Sequence, residues 1–431
     1  MTISRLALFG LCAALSSCAV SLCDNDPSDP RCDQNIVPVD TLQVTPTRIA
    51  TAGTHVTVRL GKSTGTVVLR QGSKQLDVGA LSDGVLEVHI TQAMLAQGGI
   101  SRGEAKLVIS RPSKADETAS VRIYVEPTFD SAIFYDTKPD GETPEGVIVK
   151  PSGNLWGFQS FPRGAGRAQH FIEYQLSAGM LVSRGPSFGN YNLAAWTDSP
   201  ARAVFSGKRL IAFSRDLFAG ADAIQLDTCG LSPELCSPLS VTPDFTKVLG
   251  LATDSSGTML AVQSDQDVYL YRTSDQSPID RRQQVQGGSA VSGQMVALGD
   301  LNGDGSIDLV TVASSGGSVF LGQQGGGVSL DAAWSTKLSG ALSGSIPTAV
   351  TMADIDLDGL DDVIVASGTS LQIVYPLASG TFTVSTPLSG LDSADSISVG
   401  PVDGQLSSGP DIAISSKTAQ RIAVIVNQST F

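Results

Sequence analysis

Charge is scarce in this chain. Only 16% of the residues are Asp, Glu, Lys or Arg, and the 42 acidic side chains outnumber the 28 basic ones. A formal charge of −14 leaves few cations with which to grip phosphates, so DNA and RNA are excluded as partners. Histidine is sparser still: His55, His89 and His170 are the only three, and none lies near a Cys, so a zinc finger is excluded. No Gly-x-Ser-x-Gly elbow, His-Glu-x-x-His zinc helix or phosphate loop occurs, and Gly325-Gly326-Gly327, with no Lys-Ser/Thr behind it, reads as a hairpin. Leu6 to Leu15 is apolar but too short to span a bilayer permanently. What is abundant is Gly, with 45 residues, alongside Ser and Thr; low charge with this composition fits an all-β protein outside the cytoplasm. At 431 residues the chain exceeds one core, so two or more domains are expected.

Two stretches carry chemistry: Asp300-Leu-Asn302-Gly-Asp304-Gly305-Ser306-Ile-Asp308 and Asp354-Ile-Asp356-Leu-Asp358-Gly359-Leu360-Asp361-Asp362. Each places side-chain oxygens at positions 1, 3, 5 and 9, with Gly at position 6 where the backbone must curl. Hard oxygen cages of this kind suit Ca²⁺, the position-7 ligand being the backbone carbonyl of Ser306 or Leu360. An EF-hand would require a bidentate carboxylate at position 12 and flanking helices. Here position 12 is Thr311 or Val365, and Leu309–Val312 and Val363–Ala366 are strand-type runs. The expectation is two structural Ca²⁺ sites, formed by Asp300, Asn302, Asp304, Ser306 and Asp308, and by Asp354, Asp356, Asp358, Leu360 and Asp362. The pattern resembles the FG-GAP/VCBS repeat of integrin-like β-propellers, which implies a calcium loop between strands of a propeller blade.

The loops lie 54 residues apart. A decayed copy runs from Pro401-Val-Asp403-Gly404 to Asp411, and Leu251 to Val262 repeats the turn-then-strand rhythm with the single carboxylate Asp254. Spacings near 50 residues argue for a propeller, and residues 127–431 accommodate six or seven blades. Residues 131–136, 171–175, 203–206 and 209–214 read as strands, while Pro139 to Pro151 reads as an inserted loop. Residues 41–126 hold alternating tracts such as Val56–Leu60, Leu86–Ile90 and Val121–Val125, the turn Asp83-Gly84, and a short helix near Thr91 to Gln97. They look like an immunoglobulin-like β-sandwich of the IPT/TIG kind.

Leu15-Ser16-Ser17-Cys18 resembles a bacterial lipobox, which implies a signal peptide over residues 1–17 and lipidation of Cys18. Residues 18–40, with two Asp-Pro steps, read as a polar tether. With Cys12 in the signal and Cys18 lipidated, Cys23, Cys32, Cys229 and Cys236 remain; the local pairs Cys23–Cys32 and Cys229–Cys236 are the first choice of three connectivities. The expected location is the bacterial cell envelope, lipid-anchored at the outer membrane. The expected role is a non-enzymatic adhesion or scaffold protein with a protein or glycan ligand; the alternative is a polysaccharide-binding lectin or a polysaccharide lyase or hydrolase. Trp156, Trp196 and Trp334 could stack on sugars, though core packing is the expected fate of at least two, and His170 beside Arg163 and Arg167 reads as an ordinary histidine.

Overall fold

The computed structural model describes residues 41–429 apart from 151–152, 164–165, 187–202, 207–208, 216–223, 230–235, 239–249, 265–266, 273–279, 286–294, 325–326, 345, 378–380, 386–387 and 406–408. Cys12, Cys18, Cys23, Cys32 and Trp196 therefore lie outside the described residues. The chain is all-β, with two short helices, Gln92–Gly98 and Ala332–Ala341, among the described residues. Neither is long and apolar enough to cross a membrane.

The N-terminal part packs a three-stranded sheet against a five-stranded one. Apolar residues at alternate positions of the strands Thr54–Arg59, Gly65–Gln71 and Gly103–Ser110 point into one shared core, which contains Ile49, Val56, Val58, Leu69, Leu107 and Ile123. Asp83 and Gly84 both take positive φ, and a Cβ on Gly84 would overlap the Gly61 carbonyl, so only Gly fits this turn. Thr91 caps the helix Gln92–Gly98 by accepting from the Met94 N–H.

Among the described residues from Ile133 onward, the strands form six four-stranded antiparallel sheets. Their first strands, Thr143–Val149, Ala203–Ser206, Gly250–Thr253, Met295–Gly299, Pro347–Ala353 and Ser396–Gly400, touch in sequence, and the last touches the first. This is a closed, propeller-like ring of six blades, in which each sheet buries its faces against its neighbours. The sixth blade is completed by the strand Ile133–Asp136, which pairs with Arg421–Ile425 and joins the two ends of the ring. One sequence expectation needs correction. Within Pro139 to Pro151, residues Thr143–Val149 are not a loop but the innermost strand of the first blade. Flanking prolines disguise it, yet the β-branched run Val147-Ile148-Val149 is buried at the centre. The helix Ala332–Ala341 was not foreseen, because its segment lacks an apolar stripe of helical period. It seats Leu338 and Leu342 against the fourth blade, and Trp334 meets Phe382 edge-on.

The decayed copy near Asp411 retains its strands, Ser396–Gly400 and Asp411–Ser416. Cys229 and Cys236 are register partners on adjacent antiparallel strands. His170 lies in the strand Gly166–Ser177, and Trp156 is buried in the first blade beneath the Lys150 ammonium.

Candidate metal centre

Both acidic loops leave the first strand of a blade and enter its second. Position 9 begins that second strand and faces back into the loop: the Leu301 N–H donates to Asp308 Oδ2, and the Ile355 N–H donates to Asp362 Oδ2, both at 2.9 Å. Position 1 clamps the curl, since Asp300 accepts from Gly303 and Gly305, and Asp354 from Asp358 and Gly359. Positions 3 and 5 form successive Asx turns through Asn302, Asp304, Asp356 and Asp358. Gly305 and Gly359 take φ of 79° and 88°, as the motif requires, and position 4 is also left-handed. It is Gly303 in one loop but Leu357, at φ 60°, in the other, so the second loop holds a strained residue.

The loops are bolted together. The Asp300 N–H donates to Asp361 Oδ2 at 2.8 Å, and the Asp361 N–H donates to the Asp300 carbonyl at 2.9 Å. Sequence reasoning passed over Asp361 because it occupies position 8, which is Ile307 in the first loop.

The loops differ at one oxygen of the position-9 carboxylate. Two residues beyond the register partner of Leu309 sits Gly322, whose N–H donates to Asp308 Oδ1. The same place in the sixth blade is Asn427, whose N–H donates to Asp411 Oδ1. In the fifth blade that place is Pro376, which has no N–H. Asp362 Oδ1 is therefore buried without a hydrogen-bond partner, on a residue only 1% exposed. Asp354, Asp356 and Asp362 each bring a carboxylate oxygen within 4.8 Å of the others, the one such convergent group of three or more among the described residues. A buried carboxylate with one unpaired oxygen, grouped with two more carboxylates, suits a hard cation. In the first loop every side-chain oxygen of Asp300, Asn302, Asp304 and Asp308 already accepts a hydrogen bond.

Burial dominates the electrostatics. It pushes the Asp308 and Asp354 carboxyls up to about 7, aided by the neighbouring acids Asp300 and Asp358 respectively, and Asp362 well above the usual carboxylate range. Asp361 and Asp411 rise to about 6, again chiefly through burial. Asp308→Ala removes a buried acceptor of two N–H groups. It is expected to lower unfolding free energy in chelator by about 2–4 kcal/mol, as read by urea denaturation.

Residues 300–365 match the family of FG-GAP-like repeats. The match runs from the start of the first loop into the strand Asp362–Ser367 behind the second, so it contains both loops described above. None of the curated proteins compared matches the chain. Among solved structures, it is similar to a structural-genomics protein of unknown function from Bacteroides thetaiotaomicron, with 10% identity, a TM-score of 0.44 and coverage of 91% of this chain and 99% of that one. An auxiliary nutrient binding protein from the same organism gives 11% identity, a TM-score of 0.41 and the same coverages. A candidate gluconolactonase gives 8% identity, a TM-score of 0.43 and coverage of 70% of this chain and 94% of that one.

Two residues outside the repeat reach the second loop. Arg48 of the N-terminal sandwich pairs with the Asp356 carboxylate, and its Nη2 lies 3.7 Å from Asp358 Oδ2. The Arg122 Nη1 donates to the Asp358 carbonyl at 3.0 Å. No local pattern in residues 41–126 marks these arginines, since their partners lie more than 200 positions away. Beside the loops, at the ring axis, lies a cavity of about 470 Å³ lined by first strands of the blades and by Glu145, Lys150, Asp254, Asp354, Asp361 and Asp395.

Proposed function

We propose that this chain is a lipid-anchored binding protein of the bacterial cell envelope, held at the outer membrane. Cys18 carries the lipid, residues 18–40 form the tether and residues 41–126 an immunoglobulin-like spacer. Residues 127–431 form a propeller whose loop face is stiffened by Ca²⁺, with Cys229–Cys236 as a local disulfide. The observation that carries the reading is the buried Asp362, its Oδ1 without a hydrogen-bond partner, grouped with the carboxylates of Asp354 and Asp356. Bound there, Ca²⁺ would neutralise carboxylates that otherwise repel one another at close range. Asp300, Asn302, Asp304, Asp308 and the Ser306 carbonyl would hold a second ion, and Asp358 and the Leu360 carbonyl would complete the first. Affinities are on the order of 10⁻⁴ to 10⁻³ M, as in extracellular modules.

Adhesion or scaffolding is favoured over catalysis by how the axial carboxylates are used. Asp254 accepts from the Met259 and Ser256 N–H groups, Asp354 from Asp358 and Gly359, and Asp361 from Asp300. Groups committed to their own turns are poorly placed to exchange protons with a substrate. The second reading, a polysaccharide lectin or a lyase or hydrolase, draws on the axial cavity and its raised carboxyls. A glycan array run beside a reducing-sugar release assay separates them. Glycan binding without release supports the lectin, release supports the enzyme, and two blanks leave a protein ligand for capture from envelope fractions with and without Ca²⁺.

A further inference from the structure

The N-terminal sandwich sends its own cation into the second loop. Arg48 and Arg122 are register partners on neighbouring parallel strands, Arg48–Ala50 and Glu117–Tyr124, so they approach the ring side by side. The Arg48 guanidinium lies between the rings of Tyr124, at 4.1 Å, and Tyr375, at 4.8 Å, which belong to the sandwich and to the fifth blade respectively. From there it pairs with Asp356 and reaches Asp358. Arg122 fills the space over both loops: a Cβ on Gly303 would come within 2.6 Å of its Nη2, and one on Gly359 within 3.4 Å of its Nη1. The Val125 N–H closes the contact on the Asp356 carbonyl at 2.8 Å. Asp356 is thus at once a member of the convergent carboxylate group and the counter-ion of Arg48.

We propose that Arg48 is a built-in competitor of the divalent cation at the 354–362 loop, so that cation binding and the seating of the sandwich on the ring oppose each other. This rests on the cation reading given above. A guanidinium and a divalent ion that share one buried carboxylate repel each other at a few ångströms, in a medium that screens far less than water. The guanidinium also satisfies Asp356 and Asp358 when no ion is bound, which lowers what the ion gains by entering. Coupling is reciprocal: if Arg48 weakens the ion, the ion loosens Arg48 by the same factor. The sandwich would then sit tight at low Ca²⁺ and be freed for larger excursions at high Ca²⁺, making the spacer's angle sensitive to the surrounding ion concentration.

The test is calorimetric titration of calcium chloride into the full chain as wild type, Arg48→Gln and Asp362→Asn. The expected result is that Arg48→Gln binds about tenfold more tightly than wild type and that Asp362→Asn loses that binding step. Unchanged or weaker binding in Arg48→Gln, with the step still lost in Asp362→Asn, overturns the competition and leaves the cation reading standing. No binding by wild type or Arg48→Gln overturns both. Should Arg48→Gln fail to fold, hydrogen exchange on the wild type decides: calcium should speed exchange of the Val125 amide and of residues 48–50, and unchanged or slower exchange there overturns the proposal.

Discussion

Adding calcium chloride to chelator-treated protein is expected to raise its melting temperature, and Asp362→Asn is expected to abolish the part of the rise that comes from the ion at the 354–362 loop. At 100 times the dissociation constant, one site contributes about 2.7 kcal/mol, which for a chain of this size amounts to several degrees. The variant is chosen because of how Asp362 is held. Its Oδ2 accepts the Ile355 N–H, a role the Asn oxygen can keep, while its Oδ1 has no partner. The Asn side chain carries no charge beside the Asp354 and Asp356 carboxylates. In chelator the variant should therefore melt within a few degrees of wild type, having exchanged a costly buried carboxyl for a neutral group. In calcium it should lag clearly behind. Coincident wild-type melting curves in chelator and in calcium would remove the basis for a structural ion.

In chelator, stability is expected to increase as pH falls from 8 to about 5. Asp308 and Asp354 titrate near 7 in the folded chain, against an ordinary carboxylate value of 3.8. Between roughly pH 4 and 7 the folded state thus holds protons that the unfolded state has released, so stability declines as pH rises through that window and levels off above it. Asp308, wholly buried, would alone account for on the order of 4 kcal/mol across the full window. Asp361, Asp411 and Asp362 act in the same direction. Glu173 opposes them, because Asn154 and Lys150 hold its carboxyl below the ordinary value, but it is only partly buried. With saturating calcium the cage carboxylates stay ionised and protons compete with the ion, so the slope should flatten or change sign. The midpoint of urea unfolding at pH 5.5 and pH 8, with and without calcium, reads this directly. A midpoint in chelator that rises with pH would contradict the burial of these groups.

Features written within a few neighbouring residues were determined by the sequence alone. Oxygens at alternate positions with a Gly behind them dictate the curl of the loops at 300–308 and 354–362, and the β-branched runs that follow dictate strands. The same holds for the Asp83-Gly84 turn and the Thr91 cap, whose hydrogen bonds and backbone angles are local. Tertiary structure decided everything that depends on what lies opposite. The strand Ile133–Asp136 belongs to the last blade because only there does it find a free edge, nearly 300 residues along the chain. Thr143–Val149 is a strand because the ring axis offers it neighbours on both sides. The two loops, nearly equal as sequence, become unequal because Pro376 withholds the N–H that Gly322 supplies and because Arg48 arrives from another part of the molecule. A motif specifies the curvature of a loop through its own torsions, but the charge and pairing of each oxygen are set by whatever the fold brings against it.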